Sequence, residues 1–85
     1  MSSPTAVTFQ MYAAARAAAG TSWASTPPGP TASVLADLAA ALPPRFADVL
    51  AISSLVCDGT RLDPTSSSLL PAGATVEVLP PFAGG

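Results

Sequence analysis

The chain closes Leu79-Pro80-Pro81-Phe82-Ala83-Gly84-Gly85, and the chemistry offered by these residue types in this order is that of a carboxylate held away from the body. Two consecutive prolines withhold backbone donors and fix φ, so the tail is expected to run extended, like polyproline, and not to fold back as a helix. At about 3.3–3.6 Å per extended residue, the stretch beyond Leu79 places the terminal carboxylate about 20 Å from the last strand, which reaches another protein's active site. Glycine at 84 and 85 removes every side chain that would obstruct a narrow channel. A carboxylate is a poor electrophile, but an activating enzyme can convert it with ATP to an acyl adenylate, and a sulfur or amine nucleophile then displaces AMP. Gly85 is therefore the expected reacting position, and Pro80, Pro81, Phe82, Ala83 and Gly84 are expected to occupy a partner's channel. Leu79 and Phe82 lie where the chain leaves its own core and are expected to be anchors that a partner buries.

Other residues capable of chemistry are few. Cys57 follows apolar Leu55 and Val56, where a thiol serves as a small hydrophobe, so the reacting sulfur is expected on Gly85 and not on a persulfide. Asp58 and Asp63 sit in turn contexts, with neither histidine nor lysine anywhere in the chain to complete an acid–base pair. Arg61 follows the Asp58-Gly59 turn and reads either as a solvated surface arginine or as part of a sheet face that docks a partner; Arg16 reads as a surface helix residue. Tyr12 and Trp23 read as core or sheet-face residues, not as a ligand-stacking pair.

Composition narrows the field further. Eighty-five residues, 49% hydrophobic and only 9% charged, describe one small folded domain that hides about 60–65% of its unfolded surface, leaving room for a partner to cover more. A net charge of -2 with three arginines cannot neutralise a run of phosphates, so neither nucleic acid nor an anionic membrane is an expected partner. One cysteine and no histidine exclude a disulfide framework and Cys/His metal sites, so no metal and no bound cofactor are expected. A reducing cytoplasm fits, and Met1-Ser2-Ser3-Pro4-Thr5 has the character of neither a signal peptide nor a membrane span.

The elements that must position the tail follow from periodicity. Val7-Thr8-Phe9-Gln10-Met11-Tyr12 alternates as a strand, with Val7, Phe9 and Met11 on one face and Thr8, Gln10 and Tyr12 on the other. Ala13–Ala19 predicts a short helix ended by Gly20, and Thr21–Ser25 a second strand. Residues 26–30, with three prolines, predict a loop. Thr31 is the expected side-chain cap of a helix carrying Val34, Leu35, Leu38 and Leu42 on one stripe, stopped by Pro43-Pro44. Phe46, Val49 and Leu50 predict a further helical turn, Ile52–Cys57 a strand, Asp58-Gly59 a tight turn and Thr60–Leu62 a short strand. Residues 64–68 read as loop, Leu69-Leu70 as an apolar plug, and Thr75–Leu79 as the last strand, with Val76 and Val78 opposed to Glu77. One amphipathic helix covering a sheet predicts an α+β roll.

The strand Thr-Val-Glu-Val-Leu followed by Pro-Pro-Phe-Ala-Gly-Gly resembles the small subunit of molybdopterin synthase, a ubiquitin-like sulfur carrier. The resemblance extends to the opening strand, the alanine-rich stretch with Arg16 ending at Gly20, the helix near 31–42, and Leu69-Leu70-Pro71-Ala72-Gly73 before the last strand. It implies a β-grasp domain over residues 1–79, a mixed sheet covered by one main helix, and a flexible extended tail over 80–85. It further implies that a ubiquitin-activating-like adenylyltransferase uses ATP to adenylate Gly85, which then becomes a thiocarboxylate. The large subunit of molybdopterin synthase would take the tail and receive sulfur for cyclic pyranopterin, in an assembly of two large and two small subunits. Loops 26–30 and 65–68 look enlarged against that pattern. Thiamine-pathway carriers share the glycine pair but usually lack Pro-Pro, and a ubiquitin-like modifier is the remaining alternative.

Overall fold

The computed structural model describes residues 5–81. β1 (Val7–Met11) alternates as its sequence predicts: Val7, Phe9 and Met11 are at most 2% exposed and form the floor of the core. The alanine run forms α1 (Ala13–Ala19), which ends where Gly20 turns left-handed (φ 76°) and donates its N–H to Arg16 O at 3.0 Å. β2 (Trp23–Thr26) returns antiparallel to β1. After a two-residue strand, β3 (Gly29–Pro30), the chain enters α2 (Thr31–Ala41) and then α3 (Pro44–Ile52). β4 (Ser54–Cys57) and β5 (Thr60–Leu62) make a hairpin around Asp58 (φ 48°) and Gly59 (φ 84°), the paired positive φ values of a tight hairpin turn. β6 (Leu69–Leu70) and β7 (Thr75–Leu79) complete the chain.

The main sheet has the order β2-β1-β7-β4-β5, with β1 and β7 parallel and the other neighbours antiparallel. It is thus a mixed sheet whose last strand in sequence is its central strand in space. Phe9, Met11, Leu55, Val76 and Val78 from the sheet meet Ala15, Val34, Leu35, Leu38 and Phe46 from the helices. Each large side chain hidden this way contributes about 1.5–3 kcal/mol, and the core therefore sits between one sheet face and the helices.

Several expectations are corrected. Residues 26–30 are not all loop: Thr26 ends β2, and Gly29–Pro30 pairs with Leu69–Leu70 as a second, two-stranded sheet. The apolar plug is half of one, since Leu70 is buried while Leu69 is 72% exposed. Thr31 does not cap α2; Pro30 occupies that position without a side-chain bond. Instead Thr31 is fully buried, and its N–H and its hydroxyl both donate to Ser68 O, at 2.9 and 2.8 Å, while Ala32 N–H donates to Ser66 O at 3.2 Å. The carbonyls of the 65–68 segment satisfy the helix start that a side chain was expected to satisfy.

Pro43-Pro44 does stop α2, yet Pro44 also begins α3 at a first-turn position where its missing N–H costs nothing. The single further turn is a nine-residue helix. It absorbs Ile52, so β4 begins at Ser54 and not at Ile52. α2 remains the longest helix, and α1 and α3 share the cover with it.

Candidate functional site

The tail leaves from the middle of the sheet. Met11 stands opposite Val78 and Ser54 opposite Leu79, so β1 ends, β4 begins and β7 ends at one edge of the molecule. Asp58 N–H donates to Thr75 O at 3.1 Å, which fixes the antiparallel alternation and makes Thr75, Glu77 and Leu79 the β7 residues whose backbone groups face β4. Leu79 is the final rung, half-buried. Pro80 is half-buried and Pro81 exposed. Both prolines lack a donor, so pairing cannot continue past Leu79. Phe82, Ala83, Gly84 and Gly85, the expected anchor, channel residues and reacting carboxylate, lie outside the described residues.

The sheet face away from the helices is open along one row, where Gln10, Val56 and Glu77 are half-buried and Trp23 and Arg61 exposed, whereas Thr8 on the same face is buried. Register places Trp23, Gln10, Glu77, Val56 and Arg61 in one row across all five strands. Leu79 and Tyr12 flank the row at the edge from which the tail departs. Leu79 and Arg61 therefore share this open face, with Arg61 exposed on the edge strand β5 two strands from β7. At about 4.8 Å per strand, Arg61 and Glu77 are about 10 Å apart along the row.

Tyr12 and Trp23 are 42% and 43% exposed and are not core residues. The hydroxyl of Tyr12 donates to Glu77 Oε2 at 3.2 Å. That hydrogen bond, with partial desolvation and the carboxylate's charge, holds the phenol above its ordinary pKa and so keeps it a donor. Tyr12, Trp23 and Glu77 were not singled out as site residues by sequence reasoning. The signal was present in strand alternation, which assigns Gln10, Tyr12 and Glu77 to the face opposite the core.

Cys57 faces the other way, half-buried against the core. Burial first, then the charge and hydrogen bond of Asp58 (Sγ to Oδ2, 3.7 Å), raise its pKa, the reverse of what a reactive thiolate needs. Asp63 accepts the N–H and hydroxyl of Thr65 on one oxygen, at 2.9 and 2.7 Å. Those bonds hold its pKa below the usual value and mark it as a turn residue, not a proton carrier. Arg16 is exposed on α1 beside an open cavity bordered by Gly20, Thr21 and Ser22. No group of three or more potential metal ligands exists among the described residues, and no helix there is long and apolar enough to cross a membrane.

No protein-family model and no curated protein matches the sequence. Solved structures do match the fold. The chain is similar to the crystal structure of SAMP1 from Haloferax volcanii, with a TM-score of 0.77 at 17% identity over 94% of this chain and 99% of that one. It is equally similar to the solution structure of the small archaeal modifier protein 1 (SAMP1) from Methanosarcina acetivorans, with a TM-score of 0.77 at 21% identity over 95% and 97%. An α+β mixed sheet in this order, superposing on those proteins over nearly their whole length, has the ubiquitin-like β-grasp fold.

Proposed function

We propose that this chain is a sulfur carrier, the small subunit of a molybdopterin synthase, and that its chemistry takes place on the Gly85 carboxylate. The observation that carries this reading is the junction at Leu79-Pro80: the central strand of a β-grasp sheet runs directly into two prolines that cannot donate to its ladder. A ubiquitin-activating-like adenylyltransferase would transfer AMP from ATP to the carboxylate, releasing pyrophosphate. A sulfur nucleophile would displace AMP and leave a thiocarboxylate. The large synthase subunit would then admit the tail, and the thiocarboxylate would donate sulfur to cyclic pyranopterin. The carrier's own contribution is to dock and to deliver.

The names of the similar solved structures favour a second reading, that of a ubiquitin-like modifier whose Gly85 carboxylate forms an amide with another protein. Both readings use the same adenylate and diverge at the nucleophile. Intact-mass analysis after expression with the activating enzyme and a sulfur source separates them. Replacement of one terminal oxygen by sulfur supports the carrier, and an amide-linked conjugate supports the modifier. Deleting Gly85 should abolish sulfur transfer without moving the melting midpoint, because Gly85 lies beyond the last paired residue. Synthase activity retained after that deletion would remove the carrier reading.

A further inference from the structure

A carboxylate sits at the centre of the open face, and the tail chemistry does not use it. Glu77 occupies the central strand, half-buried, with Gln10 beside it on β1 and Val56 beside it on β4. One oxygen accepts the Tyr12 hydroxyl, and the other has no partner among the described residues. Neither Glu77 nor Arg61 is in an ion pair there. When a protein surface closes over this face, the carboxylate loses water, and that loss is offset only if the arriving surface supplies a cation.

Resting on the carrier reading above, we propose that the open face selects the large synthase subunit through an arginine seated on Glu77 beside the Tyr12 ring, in the row that Trp23 ends. Three features favour a guanidinium over an ammonium. Its planar fork can engage the free Glu77 oxygen while Tyr12 keeps the other. It is weakly hydrated and tolerates the apolar border formed by Val56 and Leu79. Its flat face stacks on aromatic rings of the kind that Tyr12 and Trp23 expose. Arg61, at the rim of the same row, asks for a carboxylate on the partner about 10 Å away, so the two charges together set the docking register.

The two charges are also self-complementary, so a second copy of the chain is the competing occupant. The test uses the full-length carrier with purified large synthase subunit, read by calorimetry, and with the activating enzyme, read by intact mass. Glu77→Gln should weaken binding about tenfold and Glu77→Arg about a hundredfold or more, with affinity regained when one interfacial arginine of the large subunit is changed to glutamate. Should Glu77→Arg fail to fold, Glu77→Gln and the arginine change in the large subunit carry the test alone. If the wild-type chain acquires terminal sulfur and binds the large subunit but Glu77→Arg binds equally well, the arginine proposal falls and the carrier reading stands. A wild-type chain that neither acquires sulfur nor binds overturns both. Sedimentation of the wild type as a dimer that Glu77→Arg disperses gives the face to a second copy and overturns the proposal.

Discussion

Cys57 and Asp63 are the two side chains most easily mistaken for reagents, and their surroundings point elsewhere. A half-buried thiol with its pKa raised by burial and by Asp58 stays protonated at neutral pH and packs as a small apolar group. Cys57→Ala should therefore cost about 1 kcal/mol of stability and leave formation of the terminal thiocarboxylate intact, as intact mass and a melting curve will show. A variant that folds normally yet never acquires terminal sulfur would return Cys57 to the working residues. Asp63 titrates in the opposite direction, its folded-state pKa depressed chiefly by hydrogen bonds from Thr65. Such a group stabilises the fold above its unfolded pKa of about 3.9 and loses that contribution as pH falls through the lower folded value. Asp63→Ala should then melt below the wild type at pH 7, and the gap should close in strong acid. A gap that persists there would mean the carboxylate's charge is not what orders the turn.

The 65–68 segment acts at the scale of elements, because it closes the start of α2 with main-chain carbonyls. Thr31 is fully buried and gives Ser68 O both its N–H and its hydroxyl. Thr31→Val keeps the shape and the backbone bond but removes the hydroxyl donor, and should lower stability by about 1 kcal/mol in thermal melts. An unchanged midpoint would show that the loop is held by β3–β6 pairing alone. The same region marks the limit of what the sequence makes legible. Val7 to Met11 and Thr75 to Leu79 announce themselves, because period-two alternation is a local property and the sheet buries one side of each. Gly20 is equally plain, since a glycine after an alanine run suits a left-handed helix exit. The pairing of Gly29–Pro30 with Leu69–Leu70 joins residues some forty positions apart through two-residue strands too short to alternate. Pro43-Pro44 reads as an end, although proline is equally at home at a helix start, so α3 reads from the sequence as a single turn. In the candidate site, Leu79, Arg61 and the prolines could be named from the sequence. Tyr12, Trp23 and Glu77 needed the register between three strands to be placed on one face.

Across the whole molecule, polar and apolar surface are unevenly shared. Helices close one face of the sheet, and the other face presents two aromatic rings, Leu79, and Glu77 and Arg61, which form no ion pair among the described residues. Leu79→Asp places a charge in the contact a partner would bury, and should weaken binding of the large synthase subunit by about 2–4 kcal/mol while moving the melting midpoint far less. Wild-type affinity in that variant would move the docking surface elsewhere. The position of β7 also has a mechanical meaning. A terminus drawn into an enzyme's channel transmits tension to the strand it continues. β7 is clamped on both sides, by β1 running parallel and β4 antiparallel, and the pull acts along the strand axis. The load is therefore shear, spread over both ladders at once, and no outer strand can peel away rung by rung. An edge strand tugged at its end would unzip; under the proposed carrier role, this one could be gripped, drawn in and released repeatedly with the domain behind it undisturbed.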